Sequence, residues 1–178
     1  MNFNNIPVSL CQRGYFCCWR FEDRDNGDKT KVPFNPVTCG RAQSNKKSTF
    51  TDFDTALRMS SGYDGIGFLI ADGLFVIDCD HCLGAGDVLT PTTAEVADMF
   101  PDCYIERSPS KTGLHIIGYA PGFKFDEEKY WINNRSIGVE AYISGSTNRF
   151  MTITGDVYRD GEIAKKPAAL QAFYSFSW

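Results

Sequence analysis

Short apolar and β-branched runs, broken by Gly, Pro, Asn or Ser, alternate along most of the chain. The first is GYFCCWRFE, followed by DRDNGDK with an Asn-Gly turn signal and then TKVPFNP, a pattern that predicts a β-hairpin. Pro33 and Pro36 confine its second arm to an edge or a loop. The link CGRAQSNKKS leads into STFTDFDTALRMSSG, where Ser48 or Thr51 can cap a helix that carries Phe53, Ala56 and Leu57 inward and stops at Gly62. GIGFLI and LFVIDCD flank Ala71-Asp72-Gly73, which predicts a tight hairpin. A second helix is expected from Pro91, with Thr90 as its cap and Pro101 as its end.

The second half is dense in strands: CYIER, GLHIIGY, GVEAYI and RFMTITG, each bounded by turn-forming residues. The fold class is therefore α+β with a mostly antiparallel sheet. There is no internal repeat, low-complexity tract or interdomain linker. A chain of 178 residues that is 43% hydrophobic suffices for one well-packed domain.

Charge narrows the functional classes. The 18 basic residues against 22 acidic ones leave a net −4, which argues against an all-over grip on nucleic acid but leaves a local basic groove open. The start, MNFNNIPVSL, has no positive n-region or apolar h-region, and no run approaches the roughly 18 apolar residues of a membrane span. A soluble cytoplasmic protein without a membrane partner is expected. Seven cysteines, an odd number, read as reduced thiols. Cys79 and Cys82 around His81 invite a zinc site, but strand alternation puts Cys82 opposite to the other two and no second C-x-x-C exists, so ligand counting favours buried thiol packing. Walker and G-x-G-x-x-G patterns are absent.

Three stretches carry candidate chemistry. LFVIDCD ends a strand with Asp78 and Asp80 on one face, where two anions repel unless a cation lies between them or water screens them at a strand end. SPSKTGLH offers backbone N–H groups, the Ser110 hydroxyl and the Lys111 ammonium to a phosphate, or forms an ordinary hairpin loop. His115, between Leu114 and Ile116, faces away from both and suits either a structural or a catalytic role. GVEAYISGSTNRFMTITG places Glu140 between Val139 and Ala141, where a carboxylate needs a cation or strong donors, and Arg149 at the head of the next strand, where a guanidinium can grip phosphate or a surface carboxylate. Carboxylates, histidine and these donors are the inventory of metal-assisted phosphoryl transfer.

In this order the motifs resemble the primase-polymerase domains of the archaeo-eukaryotic primase superfamily, phage and plasmid type, over roughly residues 14 to 156 and including KVPFNP and GIGFLI. The resemblance implies a catalytic core like an RNA-recognition-motif sheet, joined to an N-terminal α/β module. As segments of the single domain, the expectation is an N-terminal module over 1–65, a catalytic core over 66–160 and a tail over 161–178. It implies two Mg2+ or Mn2+ ions on Asp78, Asp80 and Glu140, catalysis involving His115, and nucleotide contacts from Ser110, Lys111, His115 and Arg149. The implied activity is template-directed DNA polymerase or primase chemistry, passing nucleotides from NTP or dNTP to a 3′-hydroxyl in phage or plasmid replication. The implied partners are a single-stranded DNA template, a primer and a replicative helicase in cis or trans. The loop ISGSTN is longer than this family pattern, and nothing resembling a helicase half is present. Two rivals use parts of the same inventory: a metal-dependent nuclease, which needs no triphosphate cradle, and a non-catalytic nucleic-acid-binding module, which needs no carboxylates.

Overall fold

The computed structural model describes residues 1–176 and 178. The first hairpin forms as expected: strands β1 (Phe16–Asp23) and β2 (Lys29–Phe34) pair antiparallel around a turn in which Gly27 takes a left-handed φ of 84°. β1 also pairs with β3 (Gly65–Leu69), and β3 with β9 (Phe150–Ile153), giving a first sheet of order β2-β1-β3-β9. This sheet thus takes one strand from beyond residue 149.

The second sheet contains β4 (Leu74–Cys79), β5 (Tyr104–Arg107), β6 (Leu114–Tyr119), β7 (Asn133–Asn134), β8 (Val139–Ile143) and β10 (Val157–Arg159), in the order β10-β5-β6-β4-β8-β7. All its strand pairs are antiparallel. β4 and β5 flank β6 and so run parallel to each other, joined through helix α3 (Pro91–Asp98) in a split β-α-β unit.

The hairpin expected across Ala71-Asp72-Gly73 does not form. The turn is there, with Asp72 and Gly73 at φ 51° and 87° and the Leu74 N–H donating to the Ala71 carbonyl at 3.0 Å, but it passes the chain from one sheet to the other. The reason is that β3 has both edges filled by β1 and β9, and β4 by β6 and β8, so neither has a free edge for the other.

Helix α1 (Val8–Arg13) buries Leu10 in the apolar layer between the sheets. Helix α2 (Phe53–Arg58) directs Phe53, Ala56 and Leu57 into that layer, as expected, but its cap is Asp52, whose Oδ1 accepts the Thr55 N–H at 2.8 Å. Thr51 is instead drawn into a bridge with Phe16, and Ser48 lies in the 3-10 turn Lys47–Thr49. α3 starts under Thr90, whose Oγ1 accepts the Thr93 N–H at 3.4 Å.

Alternation along the second sheet divides the core. Phe75, Ile77, Cys79, Ile105, Leu114, Ile116, Val139 and Ala141 face α3 and helix α4 (Pro167–Ser175), which adds Leu170 and Phe173. Leu74, Val76, Tyr104, Ile117 and Tyr142 face the first sheet and meet Phe16, Ile66, Phe68, Met151 and Ile153. The second sheet is therefore covered on both faces, and a polar residue on its inner face is held by the sheets around it. Cys79 packs against the helices and Cys82 donates its thiol to the Cys79 carbonyl at 3.3 Å, while His81 is exposed, so these three do not gather as a zinc site.

Candidate active site

The inner face of the second sheet changes character at one end of its strands. Glu106 of β5 lies opposite His115 of β6, His115 opposite Asp78 of β4, Asp78 opposite Glu140 of β8, and Glu140 opposite Asn133 of β7. Directly opposed residues share a face, so these five form one polar row across the sheet, continuing the apolar face of Leu74 and Val76. Three of these strands, β6, β4 and β8, thus bring together three expected site residues that are far apart in sequence.

Glu106 was not singled out by the sequence and is the best-satisfied group of the row. It is fully buried and accepts hydrogen bonds from the Thr154 and Gly155 N–H groups at 3.0 and 2.9 Å and from the Tyr104 hydroxyl at 3.2 Å. His115, 2% exposed, sets Nδ1 3.1 Å from Glu106 and Nε2 3.8 Å from Asp78 Oδ1. Burial works against a charged imidazolium, but the hydrogen bond to Glu106 and the charges of Asp78 and Glu106 outweigh it, and the proton affinity of His115 rises.

Asp78 is the opposite case. Its Oδ1 is buried without a hydrogen-bond partner among the described residues. Burial pushes its carboxyl above the usual range, Asp80 adds to the rise, and His115 and Lys31 oppose it. Glu140 is raised too, by partial burial and then by Asp78 and Asp80, against Arg149 and Arg135. It accepts hydrogen bonds from Asn133 Nδ2 and the Tyr142 hydroxyl. Asp80 lies just past β4, exposed, its N–H bound to the Gly138 carbonyl at 2.9 Å.

No three His, Cys, Asp or Glu side chains among the described residues close into a ready-made metal cage. The chemistry of the donor set nevertheless fits a divalent cation. A buried carboxylate oxygen lacks a hydrogen-bond partner, and the neighbouring charge of Asp80 adds to the rise in proton affinity of both Asp78 and Glu140.

Two cavities flank β9. One, of about 240 Å3, is lined by Lys29, Lys31, Asp78, Tyr142, Arg149 and Thr152 among others. The other, of about 600 Å3, holds Lys111 and Ser108 with Thr154, Gly155 and the N-terminal Met1 and Asn2. Arg149 therefore shares a cavity with Asp78, its guanidinium 5.6 Å from the Tyr142 ring centre, whereas Lys111 lines the neighbouring one. The SPSKTGLH turn is internally bonded: Ser110 Oγ lies 3.0 Å from Ser108 Oγ and 2.9 Å from Thr112 Oγ1, and Lys111 sits at φ 62°. Lys31 is a second residue that the motifs did not signal; burial lowers its proton affinity, with Asp78 and Asp80 acting in the other direction.

No protein-family model matches the chain. Against curated proteins it is 30% identical over 161 residues, 86% of its length, to a protein of Nitratiruptor phage NrS-1 named DNA Primase-polymerase. The chain belongs with the phage-type primase-polymerase domains. It spans only 21% of that relative's length. For a primase-polymerase domain, the polar row on β5, β6, β4 and β8 is the natural place to look for chemistry. No helix among the described residues is long and apolar enough to cross a membrane.

Proposed function

We propose that this domain transfers nucleotides from NTP or dNTP to a 3′-hydroxyl on a single-stranded DNA template, as a primase or primer-extending polymerase. The observation that carries the proposal is the unpartnered, buried Oδ1 of Asp78 in the middle of the Glu106–His115–Asp78–Glu140 row. Such an oxygen is costly unless something positive reaches it.

Asp78, Glu140 and Asp80 would hold one or two Mg2+ or Mn2+ ions, which when bound supply charge neutralisation for in-line phosphoryl transfer. Glu106 holds the His115 ring, and His115 orients Asp78 from the side opposite Glu140. Asn133 and Tyr142 orient Glu140. Arg149, in the cavity with Asp78, and Lys111 with Ser110, on the neighbouring turn, are the donors for the triphosphate. Split β-α-β connectivity with a four-stranded antiparallel centre supports a core like an RNA-recognition-motif sheet. The first sheet would form the opposite wall of the cleft. A replicative helicase in the cytoplasm of the host cell is the expected partner.

A primer-extension assay with and without a preformed primer tests the proposal. Metal-dependent extension supports it. Degradation of the DNA in place of extension would make the domain a nuclease, and metal-independent DNA binding without either activity would make it a binding module.

A further inference from the structure

The register of the first sheet puts Lys31 and Thr152 on one face. Lys31 lies opposite Phe21, two residues along β1 from Trp19; Trp19 lies opposite Gly65; and Gly67, two residues further along β3, lies opposite Thr152. Opposed residues and residues two apart share a face, so Lys31, Trp19, Gly65, Gly67 and Thr152 are all on it. The two glycines leave this face without side chains midway. A Cβ at Gly67 would come within 2.9 Å of the Phe150 ring, and one at Gly65 within 2.9 Å of Trp19 Nε1. The Phe150 ring and the Trp19 indole occupy the space that side chains at these positions would need, with the Lys31 ammonium 5.6 Å from the Trp19 ring centre on one side and Thr152 on the other.

Two side chains on this face are unsatisfied. Thr152 is 3% exposed, yet its Oγ1 has no hydrogen-bond partner among the described residues. Lys31 makes no ion pair with any described residue, although Asp78 and Asp80 act on its charge. Both line the cavity of about 240 Å3 onto which Asp78 opens from the other sheet.

We infer that Lys31 and Thr152 form a phosphate subsite on the first sheet, binding the polyphosphate of the incoming nucleoside triphosphate across the cleft from Asp78. This rests on the nucleotidyl-transfer reading. An ammonium and a free hydroxyl on one wall suit phosphate oxygens, while the carboxylate on the other wall repels them. The ligand must therefore bring a cation with it. A metal-chelated triphosphate does so, because divalent ions of this kind are shared between one or two carboxylates and substrate phosphates, whereas a backbone phosphate of DNA carries no such ion into a space this small.

Calorimetric titration of the whole chain with Mn2+ and inorganic tripolyphosphate tests the subsite without catalysis. Lys31→Met keeps the apolar stem over Trp19 and should weaken tripolyphosphate roughly tenfold or more, the scale of a lost charge-assisted hydrogen bond. Thr152→Val should weaken it severalfold, and Thr152→Ser should restore it. Single-stranded DNA affinity should stay unchanged in all three. Unaltered tripolyphosphate binding in Lys31→Met, no binding by the unsubstituted chain, or an equal loss of DNA affinity overturns the inference. If the unsubstituted chain extends primers while Lys31→Met binds tripolyphosphate normally, only the subsite falls. If tripolyphosphate binds through Lys31 and no extension occurs, only the nucleotidyl-transfer reading falls.

Discussion

Glu106 and His115 face each other across β5 and β6 with 3.1 Å between carboxylate and imidazole, and neither is open to solvent. The pair anchors one end of the polar row because Glu106 is held in turn by two backbone N–H groups and a phenol. Glu106→Gln would turn an NH2 group toward a set of donors. We expect a loss on the order of 3 kcal/mol in stability, as for breaking a buried charge pair, visible as a lower urea midpoint. An unchanged midpoint would show that the pair is not structural.

Asp78 should behave in the reverse way. Its side chain is partly exposed, but Oδ1 is buried without a hydrogen-bond partner among the described residues, and burial raises its carboxyl. Asp78→Asn keeps the shape and removes a strained charge, so in EDTA the thermal midpoint should hold or rise by a few degrees. Metal-dependent extension should vanish. A variant that unfolds, or still extends, contradicts the metal role.

Glu140→Gln keeps one acceptor, for the Asn133 amide, and turns its NH2 toward the Tyr142 hydroxyl, whose oxygen can accept it, so the fold should survive. The single-turnover rate per folded molecule should fall at least about a hundredfold, roughly 3 kcal/mol of barrier. If Glu140 serves only as a partner for Arg149, the rate per folded molecule stays constant while the thermal midpoint drops.

Lys111 allows backbone and charge to be separated, since it sits at φ 62°, where a side chain is strained. Lys111→Gly should leave stability unchanged or raise it by about 0.5–1 kcal/mol. It should also weaken dNTP binding while leaving single-stranded DNA binding intact. Equal loss for both ligands would mean that the turn itself has been disrupted.

Much of this architecture was legible from local pattern. The β1–β2 hairpin, α3 under Thr90, and the strands of the second half follow from turn residues and alternation that need no tertiary knowledge. The Asp72–Gly73 turn misled because its backbone is the same whether the flanking strands pair or part, and only the long-range partners β9 and β8 decide that. Glu106 escaped notice for a similar reason. Within CYIER it resembles a solvent-facing strand residue, and its burial follows from pairing with β6 and from Thr154 and Gly155 closing over it. Lys31 sat inside a recognised stretch, but a lysine on an edge strand reads as ordinary surface until Asp78 is seen across the cavity.

The placement of β9 bears on the order of assembly during synthesis. Ile66 and Ile153 are neighbours in the first sheet, yet the whole of β4 to β8 lies between them in the chain. The first sheet gains its fourth strand only after the strands bearing Asp78, His115 and Glu140 have been made. Contacts of such sequence separation form slowly because loop closure comes before their gain. A nascent chain can thus pair β1 with β2 early, but it sets Thr152 opposite Gly67 only at the end. The first-sheet wall is completed last, and a chain interrupted before Phe150 would lack the part of it that carries Thr152.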